Sequence, residues 1–200
     1  MKFKTLILFF SFTVYTTSCL AWGAEGHRMV AKIAERYLAP GVKEKVVKCL
    51  GEDMEKAATW MDEIRSEKEM NYMKPFHYVN IPKGGIYQPT DKPNIVNELN
   101  RVREELKQIH SLSPETAAQD VKELIHLMGD ISQPLHCGYG EDHGGNKVKV
   151  MYMNKKEETL HKVWDTELVK DYEGVMYNLS AQQKKESPRA WRLWVTHSAA

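Results

Sequence analysis

His126-Leu127-Met128-Gly129-Asp130-Ile131-Ser132-Gln133-Pro134-Leu135-His136 carries both a structural and a chemical pattern. Residues four apart lie on one face of a helix, so the side chains of His126 and Asp130 can reach one metal ion. Pro134 ends the helix and lets His136 turn back from the loop that follows. Further on, His161-Lys162-Val163-Trp164-Asp165 repeats the same His-to-Asp spacing. One such pair is an ordinary polar helix face. Two pairs with an intervening Pro-x-His supply imidazole and carboxylate ligands of the kind zinc accepts.

Working outward, the chain reads as all-α with one small β-hairpin. Ser113-Pro114-Glu115 is a helix start, with Ser as cap and Pro in the first turn, and the helix it opens runs to about Ser132. Arg28 to Leu38, Val42 to Leu50, Glu55 to Arg65 and Asn94 to His110 have apolar residues at helical spacing. Lys74-Pro75, His77 to Asn80, Pro82 and Gly84-Gly85 mark a long loop between the last two. After the turn cluster Asp142 to Asn146, Lys147 to Met153 alternates polar and apolar residues as a strand does, and the chain is helical again from about Thr159. Five of the eight histidines fall in patterned places; His110, His143 and His197 do not, although His143 is near enough to the Gly144-Gly145 turn to reach a site there.

Composition excludes several classes. With 200 residues the chain is about one domain, and a formal charge of +1 is not that of a basic nucleic-acid scaffold or an acidic tail. The first 21 residues have basic Lys2 and Lys4, a short apolar run from Thr5 to Val14, and small residues at Cys19 and Ala21. This is a secretory signal peptide pattern, too short to span a bilayer. Cleavage after Ala21 makes Trp22 the new N-terminus and leaves a charge of 26 − 27, or −1. Lipidation at Cys19 is the rival, with Thr16-Thr17-Ser18 a poor lipobox. The expected location is secreted or periplasmic. Cys49 and Cys137 would allow one disulfide in an oxidising compartment. Asn178-Leu179-Ser180 matches a glycosylation acceptor.

These residues resemble the secreted, trinuclear-zinc, single-strand-specific nucleases (the S-one/P-one type), relatives of zinc phospholipase C. The likeness is carried by Trp22 to His27 at the processed end, Trp60-Met61-Asp62, His77-Tyr78-Val79-Asn80-Ile81-Pro82, the His126 to His136 stretch, Gly144-Gly145-Asn146, and Leu160-His161-Lys162-Val163-Trp164-Asp165. The resemblance implies a multi-helix phospholipase C/nuclease-like domain over residues 22–200 and three Zn2+ per chain. One ion would use Asp62, His77, His126 and Asp130; a second the amine and carbonyl of Trp22 with His27 and a shared Asp130; a third His136, His161 and Asp165. Asp62 would also orient the attacking water, Arg65 would contact phosphate, Tyr78 would stack on a base and Asn80 would bond its edge. Histidine ligands must be neutral, so activity is expected to fall in acid.

The implied reaction is cleavage of single-stranded DNA or RNA to 5′-phosphorylated products, with 3′-nucleotidase activity a further expectation. A zinc phospholipase C-like phosphodiesterase and an inactive zinc-binding remnant stand as alternatives. No stable protein partner and no membrane span is implied, and the chain is expected to act as a monomer. The pattern decays after Tyr172, where the family continues with further helices, so the domain reads as short at its C-terminal end.

Overall fold

The computed structural model describes residues 22–153 and 156–172. Residues 1–21, where a signal peptide is expected, with Cys19, and Asn178, His197 and the rest of residues 173–200 lie outside the described residues. The fold is mostly helical. In chain order α1 is Ala24–Tyr37, α2 Pro40–Leu50, α3 Met54–Ala57, α4 Trp60–Ile64, α5 Ile95–Leu106, α6 Pro114–Ile131 and α7 Leu160–Lys162. A two-stranded antiparallel hairpin, β1 Lys149–Tyr152 and β2 Lys156–Thr159, precedes α7 with Lys149 opposite Thr159.

α6 is the element on which the others are assembled, since α1, α2, α3, α4 and α5 all pack against it. Its start follows the sequence: the Ser113 side chain accepts from Thr116 N at 3.1 Å, and Pro114 occupies the first turn, where no N–H is needed. α5 is capped by Asn94, whose side chain accepts from Val96 N and Asn97 N at 2.9 and 3.1 Å. Two apolar clusters flank the spine. Ala31, Leu50, Met54, Ala57, Ala58 and Val121 form one; Met61, Met73, Val79, Ile95 and Leu127 form the other. Cys49 packs against the first and Cys137 against the second; both are free thiols, so the disulfide considered from the sequence is not formed.

Three elements differ from the periodicity reading. The stretch Glu55 to Arg65 is not one helix: it breaks at Ala58-Thr59 into α3 and α4. Thr59 holds the break, its one hydroxyl proton lying between two acceptors, Glu63 Oε1 at 2.6 Å and Lys56 O at 3.0 Å. The loop before Tyr78 is wound into tight 3-10 turns over Lys68–His77, with Pro75 inside them. α5 stops at Leu106, and a short 3-10 turn, Ile109–Ser111, leads to α6.

The last of the described helices is also irregular. α7 runs into a π-helical turn, Val163–Glu167, where Leu168 N bonds Val163 O, before helical structure resumes over 168–172. π turns are rare and concentrate at functional sites. This one contains Asp165.

Candidate metal centre

Asp130 is fully buried near the C-terminal end of α6, and four imidazoles converge on it. One oxygen, Oδ2, lies 2.8 Å from His77 Nδ1 and 3.3 Å from His126 Nε2. The other, Oδ1, lies 3.2 Å from His27 Nε2 and 3.6 Å from His136 Nδ1. These histidines come from α1, the 3-10 stretch, α6 itself and the Pro134–Cys137 turn. A second focus lies beside it, where His161 Nε2 is 3.0 Å from Asp165 Oδ2 and the His136 and His161 rings stack at 5.2 Å.

Three groups result, each with ligand atoms close enough to share a cation: His27 with His126 and Asp130; Asp62 with His77 and His126; His136 with His161 and Asp165. All eight side chains expected from the sequence to bind metal are therefore brought together. Their allotment differs in two respects: Asp130 falls in the first group alone, and His126 is the residue common to the first two, its ring stacked on His27 at 4.0 Å and edge-on to His77 at 5.0 Å.

The donor set suits zinc. Bonds of about 2.0–2.1 Å in a tetrahedral site separate ligand atoms by about 3.3 Å, which is the spacing around Asp130. Two imidazole nitrogens, His126 Nε2 and His77 Nδ1, face each other at 3.1 Å. His27 Nδ1, Asp62 Oδ1, Asp130 Oδ1 and His136 Nε2 are buried with no hydrogen-bond partner among the described residues. Buried polar atoms left this way are costly, and a cation satisfies several at once.

Backbone carbonyls orient the rings. His126 Nδ1 bonds Ala58 O at 2.7 Å, His136 Nδ1 bonds His77 O at 2.7 Å, and His161 Nδ1 bonds Gly144 O at 2.6 Å. Donation from Nδ1 leaves Nε2 as the lone-pair nitrogen, the tautomer a metal requires. The helix break at Ala58-Thr59 has its use here, because it presents the Ala58 carbonyl to His126. Gly144 has φ +58°, and a Cβ there would lie 2.4 Å from Leu135 O, so the turn that supplies this carbonyl admits only glycine.

Electrostatics follow from burial and neighbours. Burial pushes the Asp130 carboxyl upward, but His126, His27 and His77 outweigh it and hold the group well below the usual carboxylate range. Burial, aided by His126, lowers the His27 imidazole; burial also lowers His136. For His126 burial acts downward and the Asp130 carboxylate overcomes it, raising the ring. Burial raises Asp165. Neutral His27 and His136 are the forms that bind metal.

Gly129 gives His27 its place. A Cβ on Gly129 would stand 2.6 Å from His27 Nδ1, so the ring can lie against α6 here because the residue is glycine. Gly129→Ala is expected to displace the His27 ring and to cost about 1–3 kcal/mol by overpacking. Urea unfolding together with metal content checks both effects.

The residues expected to meet substrate lie at the edge. Tyr78 is 45% exposed and Asn80 is exposed, while Val79 between them is buried, so an extended backbone turns both toward solvent. The segment is pinned by Val79 N to His136 O at 2.8 Å and Ile81 N to Gly138 O at 2.9 Å. Arg65 Nη1 lies 3.8 Å from Asp62 Oδ1. Trp22 is buried, its indole N–H donating to Ser132 Oγ at 3.1 Å, and Gly23 N bonds Asp165 O at 2.8 Å. His143 is exposed and belongs to none of the three groups. Residue spacing does not single out the carbonyls of Ala58, His77 and Gly144, or Gln133, which bonds Asp165. Main-chain oxygens carry no residue signature, and the partners of Gln133 are distant in sequence.

A helical scaffold that gathers histidines and aspartates into three groups able to hold metal among its described residues defines the class: a helical protein with a candidate metal centre. The S1/P1 nuclease family model matches residues 22–196, and this chain belongs to that family. Endonuclease 3 of Arabidopsis thaliana is 31% identical over 181 residues, 84% of this chain and 61% of that protein. Endonuclease 2 of the same plant is 30% identical over 174 residues, covering 78% and 59%. Nuclease S1 of Aspergillus oryzae is 29% identical over 169 residues, covering 80% and 58%. The chain thus spans about six-tenths of the length of the curated relatives it matches.

Proposed function

We propose that this chain is a zinc-dependent phosphodiesterase that hydrolyses single-stranded nucleic acid, with three ions held by the three His/Asp groups. The observation that carries the reading is the convergence of His27, His77, His126 and His136 on the buried carboxylate of Asp130. A carboxylate offering its two oxygens to neighbouring groups is what a pair of closely spaced cations needs. When bound, the ions would supply Lewis acidity, neutralising phosphate charge and activating water for attack at phosphorus.

The chain's own residues divide the remaining work. Asp62, with Oδ1 buried and lacking a hydrogen-bond partner among the described residues, would hold metal and orient the attacking water. Arg65 beside it would pair with a phosphate oxygen. Tyr78 would stack on a base and Asn80 would bond that base's edge, a mode that needs an unpaired nucleotide and so favours single strands. Residues 1–21 would be removed on export, leaving the Trp22 amine and carbonyl to complete the ligand set near His27 and Asp130. An α-amine has a pKa near 8 and gives up its proton to zinc far more easily than lysine does. The processed chain would act outside the cytoplasm as a monomer; among the described residues no helix is long and apolar enough to cross a membrane.

The test is hydrolysis of single-stranded DNA against a choline phospholipid, each with and without chelator. Cleavage of the DNA alone, lost on chelation, is expected; cleavage of the phospholipid alone would favour a phospholipase, and zinc uptake without hydrolysis an inactive remnant. Tyr78→Ala should raise KM about tenfold or more, since stacking contributes about 1–3 kcal/mol per base, with little change in metal content.

A further inference from the structure

Gln133 links two of the elements that meet at the third His/Asp group, and it is completely buried. Its side-chain oxygen accepts from Leu135 N at 2.5 Å, at the start of the Pro134–Cys137 turn that carries His136. Its side-chain nitrogen donates to Asp165 Oδ1 at 2.5 Å, on the π turn that follows α7. The orientation of the amide is forced: a backbone N–H can only donate, so Leu135 must face the oxygen, and the carboxylate then meets the NH2. The main chain of Gln133 adds two further ties, N to Asp130 O and O to His136 N, both at 3.0 Å.

The geometry points to Gln133 as the positioning residue for the His136, His161 and Asp165 cation site, setting the rotation of the Asp165 carboxylate and joining it to the turn that presents His136. This rests on the zinc-binding reading above and deepens it. With Oδ1 anchored by the amide, Oδ2 is directed to the His161 side, where His161 Nε2 lies at 3.0 Å. A neutral amide suits the task. Lysine or arginine would hold the carboxylate equally well but would neutralise the charge that the ion needs, whereas glutamine fixes orientation and leaves that charge in place.

Gln133→Glu isolates the contact. It is near-isosteric and keeps an acceptor for Leu135 N, but replaces the donor to Asp165 with a second carboxylate. The processed full chain, loaded with zinc or with cobalt, is compared with wild type by competition against a chromophoric chelator and by the visible absorption of bound cobalt. The expected result is one ion held about 10–100-fold more weakly, with a changed cobalt band and unchanged far-ultraviolet circular dichroism. Should the added buried charge prevent folding, Gln133→Met, which is similar in length and uncharged, is expected to show the same selective weakening. Unchanged affinity and cobalt spectrum in a folded variant would overturn the positioning role while leaving the zinc reading intact. A wild-type chain that takes up neither metal would overturn the zinc reading, and the role of Gln133 with it.

Discussion

Asp130→Asn should lower hydrolysis of single-stranded DNA by on the order of a thousandfold or more and should cost the protein two of its ions. The size of the effect comes from position. Asp130 faces His27 with one oxygen and His77 and His126 with the other, so a single carboxylate touches ligands of both groups that share His126. Each ion contributes several kcal/mol of charge stabilisation to the transition state, and about 1.4 kcal/mol corresponds to a factor of ten in rate. The near-isosteric amide keeps the shape of the site and removes its charge. Single changes at His27, His77 or His126 take one ligand from the cluster and should cost less. Turnover and bound metal measured side by side decide the matter; a loss no greater than that of His126→Ala would show that Asp130 does not join the two groups.

The second large effect concerns the N-terminus that cleavage after Ala21 would expose. One additional residue before Trp22 converts its amine to an amide, which binds zinc poorly, while changing no side chain. Trp22 is fixed by its indole on Ser132, and Gly23 by its amide on Asp165, so the backbone at this end has little freedom to supply the ligand from elsewhere. The extended protein should lose one ion, with turnover down about a hundredfold or more, as several kcal/mol of charge stabilisation would leave with it. Its thermal transition should fall toward that of chelated wild type, because binding only to the folded state is itself stabilising. An extended chain with full metal content and turnover would remove the case for amine ligation.

Much of this was legible in the sequence because helix geometry is local. His126 and Asp130 are one turn apart in α6, and Ser113, Pro114 and Pro134 mark where that helix starts and stops. The same rule held at His161 and Asp165, though the helix there proved to be π-wound, an irregularity that apolar spacing does not encode. What could not be read was contact between distant segments. Ala58 O and His126, or Gln133 and Asp165, meet only after the chain folds. The break at Ala58-Thr59 was hidden for a related reason: both halves have helical periodicity, and the Thr59 hydroxyl that interrupts them acts through side-chain bonds. Likewise, the sharing of His126 between two groups reflects its stacking on His27, which no spacing within α6 predicts.

If ligands from Trp22 to Asp165 gather one cluster of cations, elemental analysis of the purified chain beginning at Trp22 should count them. Three zinc ions per chain, all removed by a strong chelator together with DNA hydrolysis, is the expected result. A chain that purifies folded with no zinc, and takes none up when it is supplied, would contradict it.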